Sequence, residues 1–158
     1  MTLRIGLVSD VHMRPEYRTE LTEELSHIAD SLRRFDPHLV IALGDIIEDE
    51  TPRVDYEHIE LVREQLSFGP PLRMLAGNHD VMNLSPKTLC SVFGNPLGGV
   101  SRLRGETLVF LNSATPHFGD ARGEVSENGL RRISGLSSDD PASVFVHHPL
   151  HYRNLEDS

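Results

Sequence analysis

The sequence predicts an α/β fold, and three observations support this prediction. Short apolar runs of strand length alternate with longer segments in which apolar residues recur at helical spacing. The first run, residues 3–9, is apolar at nearly every position, which is typical of a strand covered on both faces. Polar residues able to bind a cation or move a proton follow several of these runs, and ligands bind at the carboxyl ends of strands in open α/β sheets.

The first part of the chain alternates strands with amphipathic helices. In each helical segment the apolar residues share one stripe and the charges lie opposite. The first helix should end at Asp36-Pro37, because the residue before a proline disfavours helical backbone. The predicted elements are strands at residues 3–9, 39–43 and 72–76 and helices at residues 17–34 and 54–67.

The pattern changes after Gly94, where two short strands are predicted to pair antiparallel across Arg104-Gly105. Ser85 and Ser126 stand where helix N-caps are expected. His117 lies in a long loop and is interpreted as an ordinary loop residue, with substrate contact as the alternative. The predicted elements are a helix at 85–93, strands at 98–103 and 106–111, a loop at 112–125, a helix from 126, a turn at 137–141 and a strand at 143–146.

Length and composition favour a single domain over residues 1–158. The sequence has no apolar run of the ~20 residues that a membrane helix needs, and residues 1–4 lack the features of a secretory signal. Cys90 is the only cysteine, which excludes an internal disulfide and a thiolate zinc cluster. These features favour a cytoplasmic protein. The net charge of −9 should repel nucleic acid and anionic membranes.

The polar residues at four strand ends form the candidate site. Residues i and i+2 of a strand point to the same side, so Asp10 and His12 can converge on one cation. Asp45 can offer its two oxygens to two cations, and mixed oxygen and nitrogen ligands suit manganese, iron or zinc. Any one segment alone is equally explained as a turn. The four segments are Asp10-Val11-His12, Gly44-Asp45, Gly77-Asn78-His79-Asp80 and His147-His148-Pro149.

In this order the four segments resemble the motifs of the calcineurin-like metallophosphoesterase superfamily. The His-His-Pro segment resembles that of its cyclic-nucleotide and phosphodiesterase branch. The resemblance extends from the first strand to Pro149, nearly the whole chain. It implies a two-sheet α/β/β/α sandwich with helices outside, and a centre that holds two divalent metal ions.

The resemblance also implies a role for each residue of the site. The implied ligands are Asp10 and His12 for the first metal, Asp45 as the bridge, and Asn78 and His147 for the second metal. His147 rather than His148 is chosen because the family's ligand is the histidine two residues before the proline. His79 would donate a proton to the reacting phosphate or stabilise the transition state, and Asp80 would orient it.

One motif of the family is missing from the sequence. The family's last segment, Gly-His-x-His, supplies one further ligand to each metal, and here His151 is the only histidine after His148. We therefore expect a sandwich that is incomplete at its C-terminal end, with uncovered apolar area or an unpaired edge in the second sheet. Such surfaces promote association, so a homo-oligomer is a candidate state.

Two functions of different classes fit these observations. The first is a metal-dependent phosphohydrolase that cleaves phosphodiester or phosphomonoester bonds with hydroxide activated by two metal ions. Its substrate would be a small phosphoester, a nucleotide being one candidate. The alternative is a truncated, non-catalytic remnant that binds a metal or a nucleotide and acts through a partner. A purely structural α/β domain is the third interpretation.

Overall fold

A computed structural model of the chain describes residues 2–116, 123–136 and 141–149. The predicted loop residue His117, most of the predicted turn at 137–141 and His151 lie outside these ranges. The described strands are β1 (Ile5–Val8), β2 (Leu39–Ala42), β3 (Leu72–Met74), β4 (Gly99–Leu103), β5 (Glu106–Phe110) and β6 (Ala142–Phe145). The described α-helices are α1 (Arg18–Phe35), α2 (Pro52–Leu66), α3 (Pro86–Phe93) and α4 (Glu127–Ser134), and a short 3-10 helix (Pro15–Tyr17) precedes α1.

The described strands form two three-stranded sheets. The first sheet is parallel, in the order β1-β2-β3. In the second sheet β4 and β5 form an antiparallel hairpin and β6 pairs parallel with β5. The hairpin turn is Arg104-Gly105, as predicted, and both residues have positive φ, 54° and 90°. Two such residues give the tight turn whose twist matches that of the flanking strands.

Two apolar layers hold the elements together. The larger layer packs the first sheet against α1, α2 and α3, and its members include Leu25, Val62 and Leu89. The smaller layer joins the two sheets, with Ile41 of β2 and Phe110 of β5 among its members. Helix α4 packs against β4 of the second sheet. The predicted α/β/β/α arrangement is confirmed.

Side-chain caps account for the starts of three helices. The hydroxyl of Ser85 accepts a hydrogen bond from the N–H of Thr88, and Ser126 caps α4 in the same way, both as predicted. Thr51 caps α2, with Pro52 at the first helical position, where its missing N–H is not needed. Helix α2 therefore begins two residues before the predicted start.

Strand β1 differs from the sequence-based expectation of a strand covered on both faces. It is an edge strand of the described sheet, and Leu7 is 53% exposed. The apolar run identified the strand but carried no information on which elements would cover it. Strand β6 is likewise an edge of the described second sheet, with Val144 41% exposed. In the part of the chain that the structure describes, every helix is too short or too polar to cross a membrane.

Candidate metal centre

The loops after β1 and β2 run side by side beyond the ends of their strands. Backbone N–H groups of the first loop donate to carbonyls of the second: Asp10 to Gly44 (3.1 Å), His12 to Asp45 (3.0 Å) and Met13 to Ile46 (3.0 Å). In return the N–H of Glu48 donates to the carbonyl of Met13 over 3.0 Å. This pairing fixes three of the predicted metal ligands at one edge of the sheet.

The same three ligands have left-handed backbone conformations. The φ angles of Asp10, His12 and Asp45 are 56°, 47° and 49°. Residues other than glycine adopt this region infrequently, at a cost of order 1–3 kcal/mol, and they persist only where the surrounding structure holds them. The hydrogen bonds between the two loops constrain these backbone conformations. Such residues cluster at functional sites, so the strain supports this edge as the site.

Asp45 lies at the centre of the cluster. Its Oδ2 is 3.8 Å from His12 Nε2 and 3.3 Å from His147 Nε2, and its Oδ1 accepts a 3.0 Å hydrogen bond from the N–H of His79. Burial alone would raise the pKa of Asp45. The hydrogen bonds from His147 and from the backbone of His79 outweigh burial and hold that pKa below its usual value. An ionised carboxylate therefore stands between two imidazoles, where the bridging ligand was predicted.

Two of the histidines are oriented by bonds on the far side of their rings. The Nδ1 of His147 donates to the carbonyl of Leu43 over 2.8 Å, and its Nε2 is directed at Asp45 Oδ2, 3.3 Å away. The Nδ1 of His12 is 3.1 Å from Glu48 Oε2, while its Nε2 is 4.0 Å from Asp10 Oδ1. Metal-binding histidines usually have this kind of second partner, which sets the tautomer and the ring orientation.

The donor atoms fall into two groups, within each of which they lie within 4.8 Å of one another. The groups are Asp10, Asp45 and His147, and His12, Glu48 and His79. Each mixes carboxylate oxygen with imidazole nitrogen, the donor set that suits manganese, iron or zinc. The residues present therefore fit divalent metal ions. Asn78 lies in the adjoining turn and is half-buried.

The hydrogen-bond partner of His79 differs from the predicted one. Its Nδ1 lies 2.6 Å from Asp49 Oδ1 and 3.6 Å from Glu48 Oε1. Burial lowers the pKa of His79, but the hydrogen bond to Asp49 and the charges of Asp45 and Glu48 outweigh burial and raise that pKa above its usual value. Glu48 and Asp49, two acids of the loop after β2, therefore contact imidazoles of the site.

Asp80, which we expected to orient His79, makes no hydrogen bond to that imidazole among the described contacts. Its Oδ2 accepts from the N–H of Gly77 over 2.8 Å, and its Oδ1 accepts from Ile46 over 2.9 Å and Ile47 over 3.3 Å. Burial raises the pKa of Asp80 to about 7 despite these donors. Asp80 does not reach the imidazole because a short aspartate side chain in a turn bonds nearby backbone instead. Asp80 joins the Gly77 turn to the loop after β2.

A second buried carboxylate, which no sequence pattern predicted, joins the same two segments. Asp55 of α2 is fully buried and accepts from the N–H of Glu50 over 3.0 Å and from Asn83 Nδ2 over 2.9 Å. Glu50 follows Glu48 and Asp49, and Asn83 follows the turn that holds His79. An acid in the first turn of a helix is common, so nothing in the sequence distinguished it.

His148 is not a member of either group of donor atoms. Its Nδ1 lies 2.8 Å from the hydroxyl of Ser113, and its ring packs edge-on against His147 with centroids 4.7 Å apart. The side chain is nearly buried. Ser113 carried no signal in the sequence, because it precedes its partner by 35 residues. The structure thus brings Asp10, His12, Asp45, His79 and His147 together.

Gly77→Ala is expected to lower the free energy of unfolding by about 1–3 kcal/mol, the usual cost of forcing atoms into a packed interior. A Cβ at Gly77 would overlap Asp45 Oδ1 and the Asp45 backbone nitrogen, and the backbone cannot yield as a flexible side chain can. Urea denaturation measures the change. Gly99→Ala is the matched control, because its Cβ would meet its nearest atom at an ordinary 3.6 Å. Equal stabilities of the two variants would contradict this close packing.

The chain matches one family model and superposes on two solved structures. The family model of the calcineurin-like phosphoesterases matches residues 3–157. The crystal structure of a dimetal phosphatase from Danio rerio superposes with a TM-score of 0.75 at 17% identity, covering 94% of this chain and 70% of that one. A Thermus thermophilus crystal structure gives a TM-score of 0.61 at 14% identity, covering 98% and 72%. No curated protein sequence matches the chain. At these identities the two structures support the fold alone.

Proposed function

The chain belongs to the calcineurin-like phosphoesterase family, and we propose that it hydrolyses the phosphodiester or phosphomonoester bond of a small substrate. The observation that carries the proposal is the ionised Asp45 carboxylate between the inward-facing nitrogens of His12 and His147. Two divalent metal ions bound there, manganese, iron or zinc, would act as Lewis acids toward water and the phosphoryl oxygens.

The proposed ligands come from the four strand-end segments. Asp45 would be shared by the two ions, as its position between two imidazoles allows. Glu48 would act on the site through His12, whose ring it orients, rather than as a ligand itself. The complete proposed ligand set is Asp10, His12, Asp45, Asn78 and His147.

His79 is the proposed proton donor toward the substrate. Its side chain remains 28% exposed, and its Nδ1 is bonded to Asp49, so Nε2 is the nitrogen available to a substrate. A positioned imidazolium can protonate a leaving group or donate a hydrogen bond to a phosphoryl oxygen. Asp49 would hold the imidazole in place and favour its charged form. Asp80 and Asp55 would act only through the loops that they join.

The substrate is proposed to be small, a nucleotide being one candidate. In the part of the chain that the structure describes, the side chain of Asp10 is 58% exposed, which makes it accessible to a small phosphoester. The net charge of −9 opposes binding of a long polyanion, and we propose that nucleic acid is not the substrate. Within the described residues 2–116, 123–136 and 141–149, an edge strand of each sheet exposes an apolar side chain. We therefore propose that the chain forms a homo-oligomer.

The test measures metal content and hydrolysis on the same preparation. The chain is loaded with manganese and analysed for bound metal, then assayed with an aryl phosphodiester and an aryl phosphomonoester, before and after EDTA treatment. We expect hydrolysis of at least one ester, its loss with EDTA and its return with manganese. Bound metal without hydrolysis of either ester would contradict the proposal and favour a non-catalytic metal-binding protein.

A further inference from the structure

The contact between His79 and Asp49 joins two loops at a position that water reaches. The Nδ1 of His79 lies 2.6 Å from Asp49 Oδ1, and the two side chains are 28% and 33% exposed. A charged hydrogen bond in such a place gains little energy and restricts both side chains, so it does not hold two loops together by itself. Other contacts must therefore set the spacing between these loops.

Buried carboxylates join the two loops on both sides of this contact. Asp80 accepts from backbone N–H groups near the start of both segments, before Asp49 in the loop after β2 and before His79 in its turn. Asp55, in the first turn of α2, bonds the same two segments farther along the chain. Asp49 and His79 thus lie between two pairs of fixed points.

The two oxygens of Asp55 have partners in different segments. Its Oδ1 accepts the N–H of Glu50 over 3.0 Å, and its Oδ2 accepts from Asn83 Nδ2 over 2.9 Å. Glu50 is the residue after Asp49, and Asn83 follows the turn that holds His79. Asp55 is fully buried, and a buried acceptor that loses its donor is costly, which favours keeping both bonds. One rigid carboxylate therefore links the two backbones that carry the exposed contact.

We propose that Asp55 is a positioning residue for His79 and that it sets the distance between the imidazole and the Asp49 carboxylate. Asp55 would touch neither a metal ion nor the substrate. A general acid contributes only within hydrogen-bond reach of the group that it protonates, so a loosened His79 would lower the rate and leave the metal ions bound. This inference rests on the proposed role of His79 as the proton donor, but the geometry that it concerns can be measured without hydrolysis.

The experiment exchanges the partners of the contact between Asp55 and Asn83. Asn83→Asp places two carboxylates against each other, and like charges at this distance repel. Adding Asp55→Asn to this variant restores one donor and one acceptor: the new amide keeps an oxygen for the N–H of Glu50 and turns its NH₂ toward position 83. Asn83→Ala removes the donor without adding charge, which covers the case that Asn83→Asp does not fold. The control Asn128→Asp adds the same charge at an exposed position of α4.

Two measurements separate a positioning role from a purely structural one. The first is the imidazole N–H resonance of His79 in NMR spectra of the zinc-loaded chain, zinc being diamagnetic. Spectra are recorded near freezing to slow exchange with water, and His79→Ala assigns the resonance. The second is kcat for an aryl and for an alkyl phosphoester, with bound zinc determined on the same samples.

We expect the wild type to show the His79 resonance, and Asn83→Asp and Asn83→Ala to lose it through exchange with water. Both variants should keep their zinc, and kcat should fall at least about tenfold more for the alkyl ester than for the aryl ester, within the usual contribution of a general acid. The double variant and Asn128→Asp should resemble the wild type in both measurements.

Several outcomes would overturn the proposal. They are the absence of the His79 resonance from the wild type, its persistence in Asn83→Asp or Asn83→Ala, equal losses on both esters with zinc retained, and no recovery in the double variant. If the wild type hydrolyses neither ester, the proposed function fails, and the resonance alone still decides whether Asp55 positions His79.

Discussion

Asp45→Asn is expected to release both metal ions together and to abolish hydrolysis. The native carboxylate points Oδ2 between His12 and His147, and its Oδ1 accepts the N–H of His79. An amide carries no charge and keeps only one acceptor oxygen, so it cannot serve both sides. Partners that merely orient a metal ligand are worth about 10–100-fold in metal affinity, and loss of a shared ligand should exceed that range.

Elemental analysis and calorimetric metal titration measure this effect. Asp36→Asn is the matched control: Asp36 ends α1, has an 84% exposed side chain and pairs with Arg4 instead of the site. Asp36 also has a left-handed backbone, φ 51°, as Asp45 does, so the control makes the same substitution in the same conformation. Wild-type metal content in Asp45→Asn would show that Asp45 is not the shared ligand.

His79→Ala is expected to retain both metals and to lose about 10²–10⁴ in rate, the usual contribution of a positioned general acid. The loss should be smaller for esters whose leaving group departs without a proton, because such a group does not need protonation by the imidazole. A comparison of aryl and alkyl esters on metal-analysed protein measures both effects. His27→Ala, which changes an exposed histidine on α1, serves as the control.

The metal content of His79→Ala distinguishes two roles. His79 lies within 4.8 Å of donor atoms of His12 and Glu48, close enough to share a metal with them. If the variant binds one metal fewer than the wild type, His79 is a ligand and its proposed role as proton donor is wrong. Retained metal with an unchanged rate would contradict both roles.

The strands and most of the site could be predicted from sequence because both follow from local rules. Apolar runs identify the strands, and the carboxyl ends of parallel strands share one edge of a sheet. The residues after β1 and β2 therefore had to be neighbours, as Asp10 and Asp45 prove to be. The helix starts at Ser85 and Ser126 could be predicted for the same reason, since a cap acts within one turn.

The contacts that could not be predicted join segments distant in sequence through loops. The sequence offered Asp80 as the partner of His79 because the two are adjacent, yet Asp49, 30 residues earlier, makes that bond. Which acid meets His79 depends on the path of the loop after β2, where Asp45 has a left-handed backbone. The hydrogen bond between Ser113 and His148 likewise joins two loops that are distant in sequence. Side-chain contacts between loops depend on backbone angles that sequence patterns do not encode.

The pairing between the loops after β1 and β2 also determines where the chain can change length. Surface loops generally accept insertions and deletions. Here Asp10, His12 and Met13 bond the other loop residue by residue, as strands do. One residue inserted between Ser9 and Met13 would shift the loops against each other and turn Asp10 or His12 away from the proposed metal site, just as a register slip reverses the faces of a strand. For insertions and deletions these two loops should therefore behave as part of the sheet.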